Sequence, residues 1–132
     1  MRKIHLAAYV YAAVSVGVIA FQIALAAGAP WGAYAMGGAF PGLFPPELRV
    51  AALMQAVILA GLALVVLARA GIALPKWWRT SRWMIWVVVA FSALSLVLNV
   101  ITPSAGERLV WAPVALIMLV SSVIVAMGKT TE

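Results

Sequence analysis

Residues 6–27 run for 22 positions without a charged side chain. At 1.5 Å per residue, a helix of that length spans the ~30 Å hydrocarbon core of a bilayer. Three further apolar runs follow, at 48–68, 83–101 and 109–127. In lipid the backbone must satisfy its own hydrogen bonds, so each run is read as a membrane helix. Composition agrees: 67% of the 132 residues are hydrophobic and 9% charged, where soluble domains carry ~25% charge. The expected fold is an all-α membrane protein. Its single domain, residues 1–132, is a four-helix, up-down antiparallel bundle with both termini on one side.

The start of the chain admits a second reading. A basic opening, an apolar run and Ala24-Leu25-Ala26 are the parts of a secretory signal with an A-x-A cleavage site. The run exceeds the ~7–15 residues of a usual signal core, so its retention as a first helix is expected.

Several chemistries are excluded early. There is no cysteine, hence no disulfide or thiolate site, and His5 is the one histidine. A histidine cluster for a metal, or a histidine-based triad within one chain, is ruled out, and no cofactor is expected. The formal net charge of +6 does not point to nucleic acid. The basic residues are divided among membrane flanks rather than gathered on one face.

The runs are organised around residues 28–47, which hold five of the ten glycines and four of the seven prolines. Structureless connectors beyond ~12–15 residues are functional or disordered as a rule. A disordered loop would be polar, yet no charge occurs between Gly28 and Pro46, and Trp31, Tyr34, Met36, Phe40, Leu43 and Phe44 are apolar or amphipathic. The loop is therefore expected to fold back on the helix ends. Three roles stay open: an aromatic anchor at headgroup depth, a lid over a binding vestibule, or a partner-docking surface.

Lysine and arginine set the threading. Arg2, Lys3, Arg69, Lys76, Arg79, Arg82 and Lys129 flank the termini and the middle loop, whereas the other two loops hold only Arg49 and Arg108. The positive-inside rule then places both termini on the cytoplasmic side of a cell membrane, with residues 28–47 facing outward. Trp77, Trp78, Trp83 and Trp86 would form the inner aromatic belt, and Trp31 and Trp111 an outer one. The basic middle loop, 69–82, is a topology signal that could also hold anionic lipid headgroups. The two halves hint at duplication. Each is a helix, a proline-containing turn with Glu near Arg (Glu47 and Arg49, then Glu107 and Arg108), and a returning helix.

Helix packing in lipid relies on small residues. Ala13, Gly17, Ala20, Ala24 and Gly28 form one stripe, and Ala52, Ala56, Ala60 and Ala63 another. The first two helices are expected to meet through them, unless the stripes face a second subunit. Polar residues are sparse. Tyr11, Ser15 and Gln22 share a face opposite the first stripe, and Ser92, Ser95, Asn99 and Thr102 share one on the third helix. Hydrogen bonding between helices, ~0.6 kcal/mol per bond on average, accounts for most such groups. The amides are costlier to leave in lipid. Gln22, Gln55 and Asn99 all fall in the outer half of the membrane, beneath the Gly/Pro loop, and that shared depth marks the candidate site. Trp31, Tyr34 and Trp111 belong to its rim, with Glu47, Arg49, Glu107 and Arg108 as ion pairs or as a zwitterionic rim for a polar headgroup.

The segments GAPWGAYAMGG with PPELR, and Asn99-Val-Ile-Thr-Pro-Ser with Glu107-Arg108 and Trp111-Ala-Pro, resemble a group of short bacterial four-span integral membrane proteins of uncharacterised function. The resemblance covers most of the chain and implies the four-span fold, but no activity. The first span lacks the membrane-embedded glutamate of small multidrug exporters. The expectation is a non-catalytic bundle that binds a lipid, small ligand or partner at an outward vestibule. Its partners would be membrane lipids, with a homo-oligomer or larger membrane complex possible. The alternative is a homo-oligomeric transporter or channel, for which the spans offer no acid, lysine or histidine to carry a proton. An intramembrane enzyme using Glu47 and Glu107 as an acid/base pair is the remaining option.

Overall fold

The computed structural model describes residues 2–128. The tail beyond Gly128, including Lys129, lies outside them. Four helices carry the fold: α1 (Arg2–Ala27), α2 (Pro46–Arg69), α3 (Trp78–Ile101) and α4 (Ala105–Met127). All four are long and apolar enough to cross a membrane. They pack as an antiparallel bundle in which neighbours in sequence are neighbours in space and α4 closes against α1.

Each helix starts earlier than its uncharged run. Pro46 opens α2, a position where its missing N–H costs nothing, and Glu47 stands in the favourable first turn. The Ser104 hydroxyl accepts the Glu107 N–H at 3.1 Å, so residues 105–108 form the first turn of α4 rather than a loop. That earlier start puts Pro113 in the body of α4, not in its first turns. The middle loop shrinks likewise. Arg69 ends α2, Pro75–Trp77 form a 3₁₀ turn, and Arg79 and Arg82 ride on α3.

Burial follows a spacing of alternating threes and fours. On α1 it runs through Ile4, Ala8, Tyr11, Ser15 and, further on, Leu25; on α2 through Ala52, Ala56, Leu59 and Val66; on α3 through Ser81, Ile85, Val88 and Ser92. A 3.5-residue repeat keeps one seam facing the bundle axis along the whole rod. This corrects the expected contact of α1. Ala13, Gly17 and Ala20 are exposed on its outer face, and a Cβ added at Gly17 would touch nothing within 4 Å. The face with Tyr11, Ser15 and Gln22 packs inward instead: hydroxyls and an amide are costly to leave in lipid, whereas alanine and glycine are not. On α2, Ala52 and Ala56 are buried as expected, while Ala60 faces out.

The end bearing both termini is densely filled. Ile4, Tyr11, Val66, Ile85, Val88, Met118 and Val125 belong to one buried cluster drawn from all four helices. Arg69, 9% exposed, donates from Nη2 to the Gly128 carbonyl at 3.0 Å, which satisfies an acceptor at the C-terminus of α4. Gly128 is extended, not left-handed. Its need for glycine is steric, since a Cβ there would run into the Ile4 side chain. At the opposite end a smaller cluster joins Leu25, Phe44 and Ala52. Between the two clusters the seam is not filled.

Candidate functional site

The site begins with the end of α1. Gly28 takes φ +107°, its N–H reaches the Leu25 carbonyl and the Ala29 N–H reaches Ala24. This left-handed cap stops the helix and turns the chain across the bundle mouth. The Gly32 N–H then bonds the Gly42 carbonyl at 2.9 Å, closing the loop on itself. Phe44, 5% exposed, plugs the loop into the helices.

The first turns of α4 hold the loop down at three points. Ser104 Oγ donates to the Ala33 carbonyl at 2.8 Å, and Trp111 Nε1 donates to the Tyr34 carbonyl at 2.8 Å. The Gly37 N–H donates to Glu107 Oε2 at 3.3 Å. Tyr34 packs so closely over Gly106 that a Cβ there would lie 2.7 Å from its ring. The loop therefore has two faces. Trp31, Phe40 and Leu43 expose much of their surface and do not line the cavity, while Tyr34 to Gly37 roof a cavity of about 760 Å³.

Gln22 of α1, Gln55 of α2 and Asn99 of α3 all line that cavity, as do Tyr34, Glu107 and Trp111. Asn99 Nδ2 is bonded back to the Ser95 carbonyl at 2.7 Å, which leaves its oxygen for the cavity. Among the described residues, Gln22 and Gln55 have no protein partner for their amides. The space exists because the seam here carries small side chains: Ala52 on α2, Ser92 and Ser95 on α3, and Ala115 on α4. At its floor Ser92 meets the Tyr11 hydroxyl. The Tyr11, Ser15 and Ser92 hydroxyls are buried without a hydrogen bond of full geometry. The wall also includes Ala51 of α2 and Leu98 and Ile101 of α3, all exposed on the bundle surface. The cavity thus reaches the outer surface of the bundle between those two helices.

Four of the candidate residues lie outside the wall. Trp31 stacks on Phe21, 6.2 Å between centroids with the rings 9° apart, and Phe21 in turn meets Trp111 at 4.7 Å. Trp31 therefore backs the wall without entering it. Glu47 is exposed at the start of α2. Arg49 Nε donates to the Phe44 carbonyl at 2.9 Å, beside Gly28 at the negative end of α1. Arg108 Nη1 donates to the Thr102 carbonyl at 2.7 Å. The expected pairs Glu47–Arg49 and Glu107–Arg108 do not form among the described residues, because free carbonyls at the turns claim both guanidinium groups. Nor are the two hairpins equivalent: Glu107 is 7% exposed, whereas Glu47 is exposed.

The aromatic walls from Phe44 and Phe91, and the threonine at the end of α3, Thr102, also belong to the site. Thr102 and Ser95 stood on the polar face of α3. Phe91 gave no sequence signal, since an aromatic in an apolar run fits lipid equally well. Comparison of the chain with protein-family models, with curated proteins and with solved structures returned no match.

Proposed function

We propose that this integral membrane protein binds an amphipathic molecule in the roofed vestibule, without catalysis. The observation that carries the reading is the convergence of three amides from three helices on one cavity under a hydrogen-bonded cap. Amides without partners in a bilayer are costly, and a ligand that bonds them offsets that cost. The apolar walls and the side opening between α2 and α3 suit a molecule arriving from the lipid. Pockets of ~300–1,000 Å³ that are mostly apolar with a few converging polar groups are the usual form of small-molecule sites.

Under the positive-inside rule the vestibule opens outward and both termini are cytoplasmic. A reporter fused after Glu132 is then active only inside the cell. Catalysis by the two carboxylates is disfavoured, because Glu107 faces the cavity and Glu47 does not. The transporter reading meets the buried cluster that fills the other half of the bundle. Passage would require that plug to part, and vesicles carrying the protein are expected to show no solute flux.

The test is native mass spectrometry of protein extracted from membranes. A retained amphiphile is expected on the wild type, and its loss is expected on the combined variant Gln22→Leu, Gln55→Leu, Asn99→Leu. Equal retention by a folded triple variant removes the amides from the site.

A further inference from the structure

The charge distribution around the vestibule points to the chemistry of its ligand. We infer that the site takes an amphipathic cation, an ammonium head on an apolar body. This rests on the binding reading above and adds the head group to it.

Glu107 carries the one formal charge in the cavity wall, counted over the described residues. It is 7% exposed. Its setting is that of a capping box, Ser104-x-x-Glu107, in which the carboxylate ordinarily turns back to the N–H of the capping serine. Here that N–H goes instead to Thr102 Oγ1 at 3.3 Å. The carboxylate is swung away from its own helix, toward the roof and the cavity. One oxygen, Oε2, accepts the Gly37 N–H. The other has no partner among the described residues. The two arginines at this end of the bundle, Arg49 and Arg108, are bonded to backbone carbonyls.

The second oxygen is open to the cavity rather than sealed in protein, and a carboxylate in so apolar a vestibule is best balanced by a counter-charge or several donors. One backbone N–H is a weak substitute, and a bound cation supplies the rest. The remaining wall suits such a guest. Tyr34, Phe44, Phe91 and Trp111 present aromatic rings, which attract cations through their faces. The oxygens of Gln22, Gln55 and Asn99 can accept N–H bonds from an ammonium. Below them Val18, Leu59 and Met118 line space for an apolar body. An anionic head would face Glu107 with no cationic side chain in the wall to offset it.

The ammonium could come from a lipid headgroup or from a free amphiphile, so the experiment has two arms. In the first, protein is reconstituted in vesicles of equal phosphatidylethanolamine and phosphatidylglycerol, and the retained lipid is weighed by native mass spectrometry. In the second, dodecylammonium and dodecanol are titrated onto the protein in dodecyl maltoside, read by tryptophan fluorescence with Trp111→Phe as the control. The expected result is at least tenfold tighter binding of dodecylammonium than of dodecanol. Glu107→Gln, which keeps an acceptor for Gly37 and removes the charge, is expected to erase the difference. Retention of phosphatidylethanolamine over phosphatidylglycerol, lost in Glu107→Gln, identifies the lipid as the source. Dodecylammonium preference without retained lipid identifies a free amphiphile. Equal binding of the two probes to the wild type, or a preference that survives in Glu107→Gln, overturns the cation while leaving the vestibule standing. Binding of neither probe, with no lipid retained, overturns both. If Glu107→Gln fails to fold, the wild-type comparison decides, with Glu107→Asp expected to keep the preference.

Discussion

Trp111, on α4, donates its indole N–H to the carbonyl of Tyr34, 77 residues earlier in the chain and 2.8 Å away. That bond ties the loop to the bundle at the edge of the cavity. Trp111→Phe keeps the ring contact with Phe21 but removes the donor. It is expected to cost about 1 kcal/mol, the usual net worth of one hydrogen bond. Hydrogen exchange should speed up in the loop, at residues 33–37, and stay unchanged in the helices. Uniform loosening of the whole bundle would mean that the loop is not a separate cap.

Gly32→Ala tests the same cap from within the loop. A Cβ at Gly32 would overlap the Phe40 carbonyl oxygen and stand 2.8 Å from that of Gly42. Backbone on both sides leaves little room to give, so a loss of about 1–3 kcal/mol is expected. Helix content by circular dichroism should persist while the loop becomes sensitive to protease.

The four helices were legible in the sequence because an uncharged run of bilayer length has few other uses. Their first turns were not, since Trp78, Arg79 and Arg82 read as loop by composition, and Ser104-x-x-Glu107 reads as a cap only once its helix is known. Gln22, Gln55 and Asn99 could be placed at one depth from topology alone. Whether they faced one another depended on the seam spacing, which the small-residue stripe of α1 obscured. The fate of Arg49 and Arg108 could not be read from the sequence, because their partners are backbone carbonyls whose positions depend on the turns.

That stripe carries its own prediction. Gly17 has nothing within 4 Å of an added Cβ, so Gly17→Ala is expected to raise stability by up to about 1 kcal/mol through helix propensity. Thermal unfolding in detergent measures this. A lower midpoint would show that the outer face of α1 is packed against something.

At the opposite end, Arg69 holds the carbonyl of Gly128, the residue that caps α4. Arg69→Met keeps the stem and loses the charged donor. A cost of about 2 kcal/mol is expected, in the range for hydrogen bonds to charged groups. Exchange should rise first in the amides of the last turn of α4, well away from the vestibule.

The shared cavity itself is best tested by nuclear magnetic resonance on protein in lipid nanodiscs. Side-chain amides of Gln22, Gln55 and Asn99 are selectively labelled, and cross-relaxation to neighbouring protons is recorded. The structure predicts that all three relax with one retained amphiphile and with the ring protons of Tyr34 or Trp111. Three amides each relaxing with bulk acyl chains, and none with the loop, would contradict it.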